Sequence, residues 1–167
     1  MSRDSAAPDL LGLPAIWRER VRGEWCDYND HLNMAYYVLI FDHGTDAFFD
    51  SVGLDAAYRK ANDCSTFAVE THVNYLAEVR NGDEVICTTQ LLDFDEKRIH
   101  FFHRMYHAER GFLAATNEAM GVHVDMRVRK VAPMKAELQA ALNALRASHR
   151  ALPRPEQQGR VIGIPRK

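Results

Sequence analysis

From Phe67 to Ala77 the chain alternates. Phe67, Val69, Thr71, Val73, Tyr75 and Ala77 are apolar or small, with Glu70, His72, Asn74 and Glu78 set among them. A period of two predicts a strand buried on one face. Asn81-Gly82-Asp83 supplies turn chemistry, and Val85 to Phe94 reads as the next strand. Asp95-Glu96 turns into Ile99 to Tyr106, and Glu109-Arg110-Gly111 turns into Phe112 to Met126. The expectation is an antiparallel meander of four long strands.

Upstream the period changes. From Met34 to about Val52, Ala35 and Val38 fall on one helical face and Tyr37, Phe41 and Phe48 on another. Asp42, Asp46 and Asp50 form a narrow i, i+4 stripe. A helix apolar on most sides is one that a sheet wraps. Gly53 suits its left-handed cap, and Ala56 to Ala61 can add a turn or two. Ile16 to Trp25 reads as a first strand. After Pro133 a final helix would bury Leu138, Ala141, Leu142 and Leu145. Strand, long helix and four strands make an α+β domain of five strands around one helix.

The expected division is a loosely held leader over 1–15, the domain over 16–132, a C-terminal helix over 133–150 and a tail over 151–167. The tail carries three prolines and two glycines, so it is expected to lie extended on the domain or a neighbouring subunit. Val161, Ile162 and Ile164 give it something to dock.

A length of 167 residues suits one domain with a real core. A net charge of -2, with 47% hydrophobic and 26% charged residues, shows no basic excess for nucleic acid and no acidic tail. Cys26, Cys64 and Cys87 have no C-x-x-C spacing, which argues against a disulfide framework or a thiolate zinc site and suits the cytoplasm. The first residues hold no apolar run long enough for a signal peptide or a membrane span. His103 and His107 would pair for zinc on a helix. On a strand that spacing separates them by roughly 13 Å, so no metal is expected. His100, His103 and His107 are expected at a subunit contact or on a solvated face.

The stretch from Val21 to Tyr37 carries the candidate chemistry. It sets Asp27 and Asn33 just ahead of the buried helix, whose first N–H groups and dipole favour negative charge. A carbonyl becoming an oxyanion would be polarised there, and Asp27 could attack it or activate water. A thioester is electrophilic enough for a carboxylate. Asp27 and Asn33 could instead cap the helix, and His31 could brace the loop.

This stretch resembles the active-site segment of the 4-hydroxybenzoyl-CoA thioesterase-like branch of hotdog proteins. Asp27 matches the family's catalytic aspartate, His31 and Asn33 its His-x-Asn, and Tyr37 its helical tyrosine. The resemblance runs over residues 16 to 128, including Tyr75, Glu78, Gly82 and Asp83. It implies a hotdog fold, a long central helix wrapped by a curved antiparallel sheet, and acyl-CoA thioesterase activity. It also implies the Met34 backbone N–H as oxyanion donor, and no cofactor beyond the coenzyme A of the substrate. One departure is Asp30, where the family has Gly before the His. A left-handed backbone there would be harder to reach, and a second carboxylate enters the neighbourhood.

Asp27-Tyr-Asn-x-His-Leu-Asn-x-Ala-Tyr-Tyr, Phe41-Asp-His-x-Thr-Asp46, Lys97-Arg-Ile-His100-Phe-Phe-His103 and Ala115-Thr-Asn-Glu118 look more narrowly like the betainyl-CoA thioesterases of carnitine breakdown. That likeness implies an acyl group bearing a quaternary ammonium, which aromatic faces recognise. Trp25, Tyr28, Tyr36, Tyr37 and Phe67 are available, and Asp46 could meet the cation. Lys97, Arg98, Arg104, Arg127 and Arg129 are candidates for the coenzyme's phosphates. An exposed sheet edge implies a homodimer or dimer of dimers, with the partner's residues 67–75 near Asp27. Two rival readings are a hotdog hydratase or dehydratase, whose longer Asp…His motif is absent, and a non-catalytic acyl-CoA binding module.

Overall fold

The long apolar helix governs the architecture. In this computed structural model, which describes residues 8–164, it is α1, Met34–Ser51. It buries Tyr37, Ile40, Phe41, Gly44, Phe48 and Phe49, while Asp42, Asp46 and Asp50 stay exposed. Gly53 follows at φ +87°, a left-handed stop that a Cβ would strain. Before α1 come β1 (Trp17–Arg20) and a single 3-10 turn (Gly23–Trp25); after it comes α2 (Ala56–Asn62). The sheet is completed by β2 (Cys64–Tyr75), β3 (Glu84–Phe94), β4 (Arg98–His107), β5 (Leu113–Asp125) and β6 (Lys130–Val131), and α3 (Ala136–His149) closes the domain.

The strand order is β1-β3-β4-β5-β2, every pairing antiparallel, with β6 added to β5. The meander is therefore three strands, not four, because β2 pairs with β5 rather than β3. The reason lies in Leu76–Asp83, which is a crossover and not a hairpin turn. Leu76 and Ala77 donate to Ala114 O, Val79 O accepts from Leu32 N, and Gly82 N donates to Val21 O. Those bonds pin the segment across one end of the sheet, with Val79 fully buried.

The alternation of β2 is also broken. Its register with β5 shifts between Ala68 and Glu70, so Val69 is an extra, bulged residue. Ahead of the bulge Thr66 faces the helix side, its methyl 3.2 Å from where a Cβ on Gly121 would sit. Beyond it the odd positions do: Val73 packs on the core and Tyr75 meets Tyr37. Phe67 and Val69, expected to point inward, are 39% and 58% exposed.

The core runs along α1 in two clusters. Trp25, Tyr37, Ile40, Phe41, Val85, Cys87 and Met105 pack around its first half. Phe48, Phe49, Leu91, Ile99 and Phe101 pack around its second, joined by Leu138 and Leu142 of α3. Of the leader, the described part presses Leu13 into the fold. The tail turns at Pro155–Gln158 instead of staying extended, and Val161, Ile162 and Ile164 remain exposed. No helix among the described residues is long and apolar enough to cross a membrane.

The surface expectation fails for His107, which is 2% exposed and held by Asp83 and Arg110, and fails most fully for His103. His103 is fully buried, stacked on Phe41 at 5.8 Å, with Thr89 Oγ1 2.8 Å from Nδ1 and Thr45 Oγ1 2.9 Å from Nε2. Burial pushes its pKa down to about 3. Between that value and the usual 6.5, the unfolded chain takes up a proton that the folded chain refuses. Stability is then full above about pH 6.5 and falls on acidification, by at most about 1.4 kcal/mol per pH unit. Urea unfolding from pH 7 to pH 4.5 is expected to show a steeper loss for the wild type than for His103→Gln.

Candidate active site

The loop ahead of α1 is built by its own backbone. Asp27 N donates to His31 O at 2.9 Å, Asp30 N donates to Asp27 O at 3.0 Å, and Cys26 bridges to Leu32. So tight a closure requires one left-handed residue, and Asp30 supplies it at φ +60°. This is where the resembling family carries glycine. The half-buried Asp27 side chain is oriented by the same loop. Its Oδ1 accepts from Asn29 N at 2.8 Å and His31 N at 3.3 Å. Oδ2 has no hydrogen-bond partner among the described residues.

Asn33 is the N-cap, its side chain accepting from Ala35 N at 3.0 Å. Tyr36 N is taken by Asn33 O. The Met34 N–H has no partner among the described residues, so the helix opens with a free donor and its positive dipole end. Met34 lines a cleft of about 290 Å³ together with His31, Leu32, Tyr37, and Tyr75 and Glu78 from the crossover side; Asp27 is not among the residues that line it. Tyr37 and Tyr75 meet edge to face at 5.2 Å, and the Tyr75 hydroxyl donates to Met34 O at 3.3 Å. His31 Nε2 lies 3.2 Å from the Glu78 carboxylate, near enough for an ion pair but out of line for a hydrogen bond.

The other aromatics do not converge there. Trp25 is buried, stacked on Tyr36 at 5.5 Å with the Arg22 guanidinium 4.5 Å from its ring centre. Those two rings support the loop from below. Tyr28 is 96% exposed, and Phe67 lies on the far side of β2. On the sequence alone, Tyr75 comes near Asp27 only from a partner copy and Glu78 has no role in the site, whereas both line the cleft of their own chain.

The candidate phosphate-binding cations also disperse. Lys97 pairs with Glu96 and Arg98 with Asp95, in the β3–β4 turn. The Arg98 guanidinium holds the Asp95 carboxyl down to about 2. That turn lies the length of β4, roughly 30 Å, from the α1 end of the sheet. Arg127 is tied to Asp125, and Arg129 is exposed beside it. Arg104 is buried on the outer face of the sheet, which removes it from surface phosphate binding.

A second groove, of about 270 Å³, runs between α1 and the first half of β2. Asp42, Thr45, Asp46, Phe49, Arg59 and Thr66 line it.

An unpaired helix-opening N–H at a cleft, with a carboxylate that keeps one oxygen free in the loop just upstream, suits acyl transfer. The chain belongs to the thioesterase-like superfamily, whose description matches residues 21–142, and its architecture is the hotdog fold. Within that class it is 45% identical to a betainyl-CoA thioesterase of Pseudomonas aeruginosa, over 85% of this chain and 89% of that protein. An L-carnitine dehydrogenase/betainyl-CoA thioesterase of Rhizobium meliloti is 40% identical over 95% of this chain, which spans 32% of that longer protein. A Staphylococcus aureus protein solved in complex with CoA superposes with a TM-score of 0.84 at 30% identity, covering 89% of this chain and 94% of that one.

Loss of the cap should separate stability from chemistry. Asn33→Ala is expected to cost about 1 kcal/mol in denaturant unfolding, and Asn33→Ser to recover most of it.

Proposed function

We propose that this protein hydrolyses a small acyl-CoA bearing a quaternary ammonium, betainyl-CoA, to the free acid and coenzyme A. One observation carries the reading: Met34, with its unpaired N–H, lines the Tyr37–Tyr75 cleft, and Asp27, with one oxygen free, stands in the loop that leads into that helix. The thioester carbonyl oxygen sits on the Met34 N–H, where the dipole of α1 favours the oxyanion. Asp27 Oδ2 either attacks the carbonyl carbon or takes a proton from the attacking water. Its other oxygen is held by two backbone donors, so the side chain needs no reorganisation. The tetrahedral intermediate collapses with loss of the coenzyme A thiolate, which takes up a proton. The water route gives the free acid at once, and the direct-attack route leaves an acyl–Asp27 anhydride that a water molecule then hydrolyses to the acid. His31, paired with Glu78, holds the loop against the crossover. The only coenzyme in the scheme is the one the substrate brings, and we place the enzyme in the cytoplasm.

The second part of the reading is a homodimer. β2 is an edge strand of 12 residues, and its bulged middle leaves Phe67 and Val69 uncovered. A free edge of that length invites a second copy. Antiparallel pairing about the middle of β2 sets the Ser65–Ala68 end of one copy beside Tyr75 of the other. The groove bearing Asp42 and Asp46 then lies next to the partner's cleft. Those carboxylates and the faces of Tyr37 and Tyr75 suit a quaternary ammonium that donates no hydrogen bonds.

Thiol release across betainyl-, acetyl- and benzoyl-CoA tests the reading. Asp27→Ala is expected to lower kcat about 100-fold or more. Asp46→Asn should raise KM for betainyl-CoA and leave acetyl-CoA unchanged. Undiminished turnover by Asp27→Ala defeats the mechanism, and equal rates on betainyl- and acetyl-CoA defeat the substrate. Hydration of an enoyl-CoA without thiol release would favour a hydratase; binding without any turnover would favour a binding module.

A further inference from the structure

On the sheet face turned away from α1, three side chains stand in one row across three strands. The register pairs Thr88 of β3 with Arg104 of β4, and Arg104 with Thr116 of β5. Thr88 is 0%, Thr116 1% and Arg104 6% exposed. Each keeps a solvent-shielded atom with no hydrogen-bond partner among the described residues: Thr88 Oγ1, Arg104 Nη1 and Thr116 Oγ1. The three orphaned polar atoms belong to neighbouring register positions on one face of the sheet, and each of them calls for a partner.

The charge there is uncompensated. Arg104 donates to the neutral Gln90 Oε1 at 2.9 Å and lies 5.1 Å from the Phe102 ring centre. No carboxylate among the described residues reaches it within ion-pair distance. Glu118, on the same face, is committed to His100 at 2.8 Å and to Gly159 N at 2.6 Å. Burial draws the Arg104 pKa down, as expected for a cation short of a counter-charge. A buried cation without a partner is strongly destabilising, whereas a positive donor flanked by two hydroxyl donors is matched by an anion. The C-terminal tail closes over this face. Gln90 Nε2 donates to Pro153 O at 3.4 Å, and Glu118 holds Gly159. Gln90 thus touches both the guanidinium and the tail.

We propose that Thr88, Arg104 and Thr116 bind a small inorganic anion of chloride's size beneath the C-terminal tail. Full burial selects an ion that can shed its water and disfavours a phosphate ester carrying a nucleotide. The site lies on the opposite sheet face from the Asp27 cleft, so it stands independently of the proposed reaction.

The test is thermal unfolding of the full chain while sodium gluconate is replaced by sodium chloride at constant ionic strength. The wild type is expected to show a saturable Tm rise of about 2–6 °C. Thr88→Val with Thr116→Val keeps the shape of the row and should flatten that response, as should Arg104→Gln. Crystals soaked in sodium bromide should show an anomalous peak beside Arg104 Nη1. A flat wild-type response with no bromide peak would mean that water alone fills the row, and would overturn the proposal. An equal rise in the double valine variant would also overturn it.

Discussion

A helix with side chains as apolar as those of α1 cannot stand on a surface. Ile40 and Phe41 are 0% exposed and Phe48 is 1% exposed, so a broad sector of the helix has been taken out of water, while Val38, Asp42, Asp46 and Asp50 keep one stripe exposed. One flat sheet cannot do that. The strands have to twist and bend around the helix, and register shifts at Val69 in β2 and near Leu92 in β3 let them do so. The axis of α1 is thereby fixed, and with it the point where its first N–H emerges. The cleft exists because the crossover from β2 to β3 passes that point and brings Tyr75 and Glu78 against it.

The two faces of the sheet solve different problems. Toward α1 the packing is largely apolar, and His103, fully buried there, is kept neutral by burial with a threonine hydroxyl at each ring nitrogen. Away from α1 the strands carry Arg104, Gln90, His100 and Glu118, and irregular chain lies over them. Burial alone does not distinguish the faces. What does is whether each polar atom meets a neutral partner, a charged one or none.

Much of this was legible in the residues, because local physics dictated it. The limits of α1 follow from Asn33 and Gly53, and the strands from their alternation and turns. The departure at Asp30 proved informative, since the loop does hold that residue in the left-handed region. Strand order was not legible. Asn81-Gly82-Asp83 looks the same at the end of a hairpin as at the end of a crossover, and only long-range bonds to Ala114, Leu32 and Val21 decide. The placement of Phe67 failed because alternation assumes an unbroken ladder. Arg104 and His103 failed because the sequence records their charge but not what covers them. Tyr75 and Glu78 reach the cleft of their own chain from 41 and 44 positions beyond Met34, beyond the reach of any local pattern.

Val69 acts as a phase marker for its strand. Because it is the extra residue, Cys64–Ala68 and Glu70–Tyr75 are out of step, and each half presents its own correct side to the helix. Side-chain replacements at that position should therefore be tolerated over evolutionary time far better than changes of length. Removing a single codon anywhere in β2 would realign the halves and turn either Thr66 or Tyr75 inside out. Homologous chains should accordingly vary in composition along this stretch while conserving its residue count.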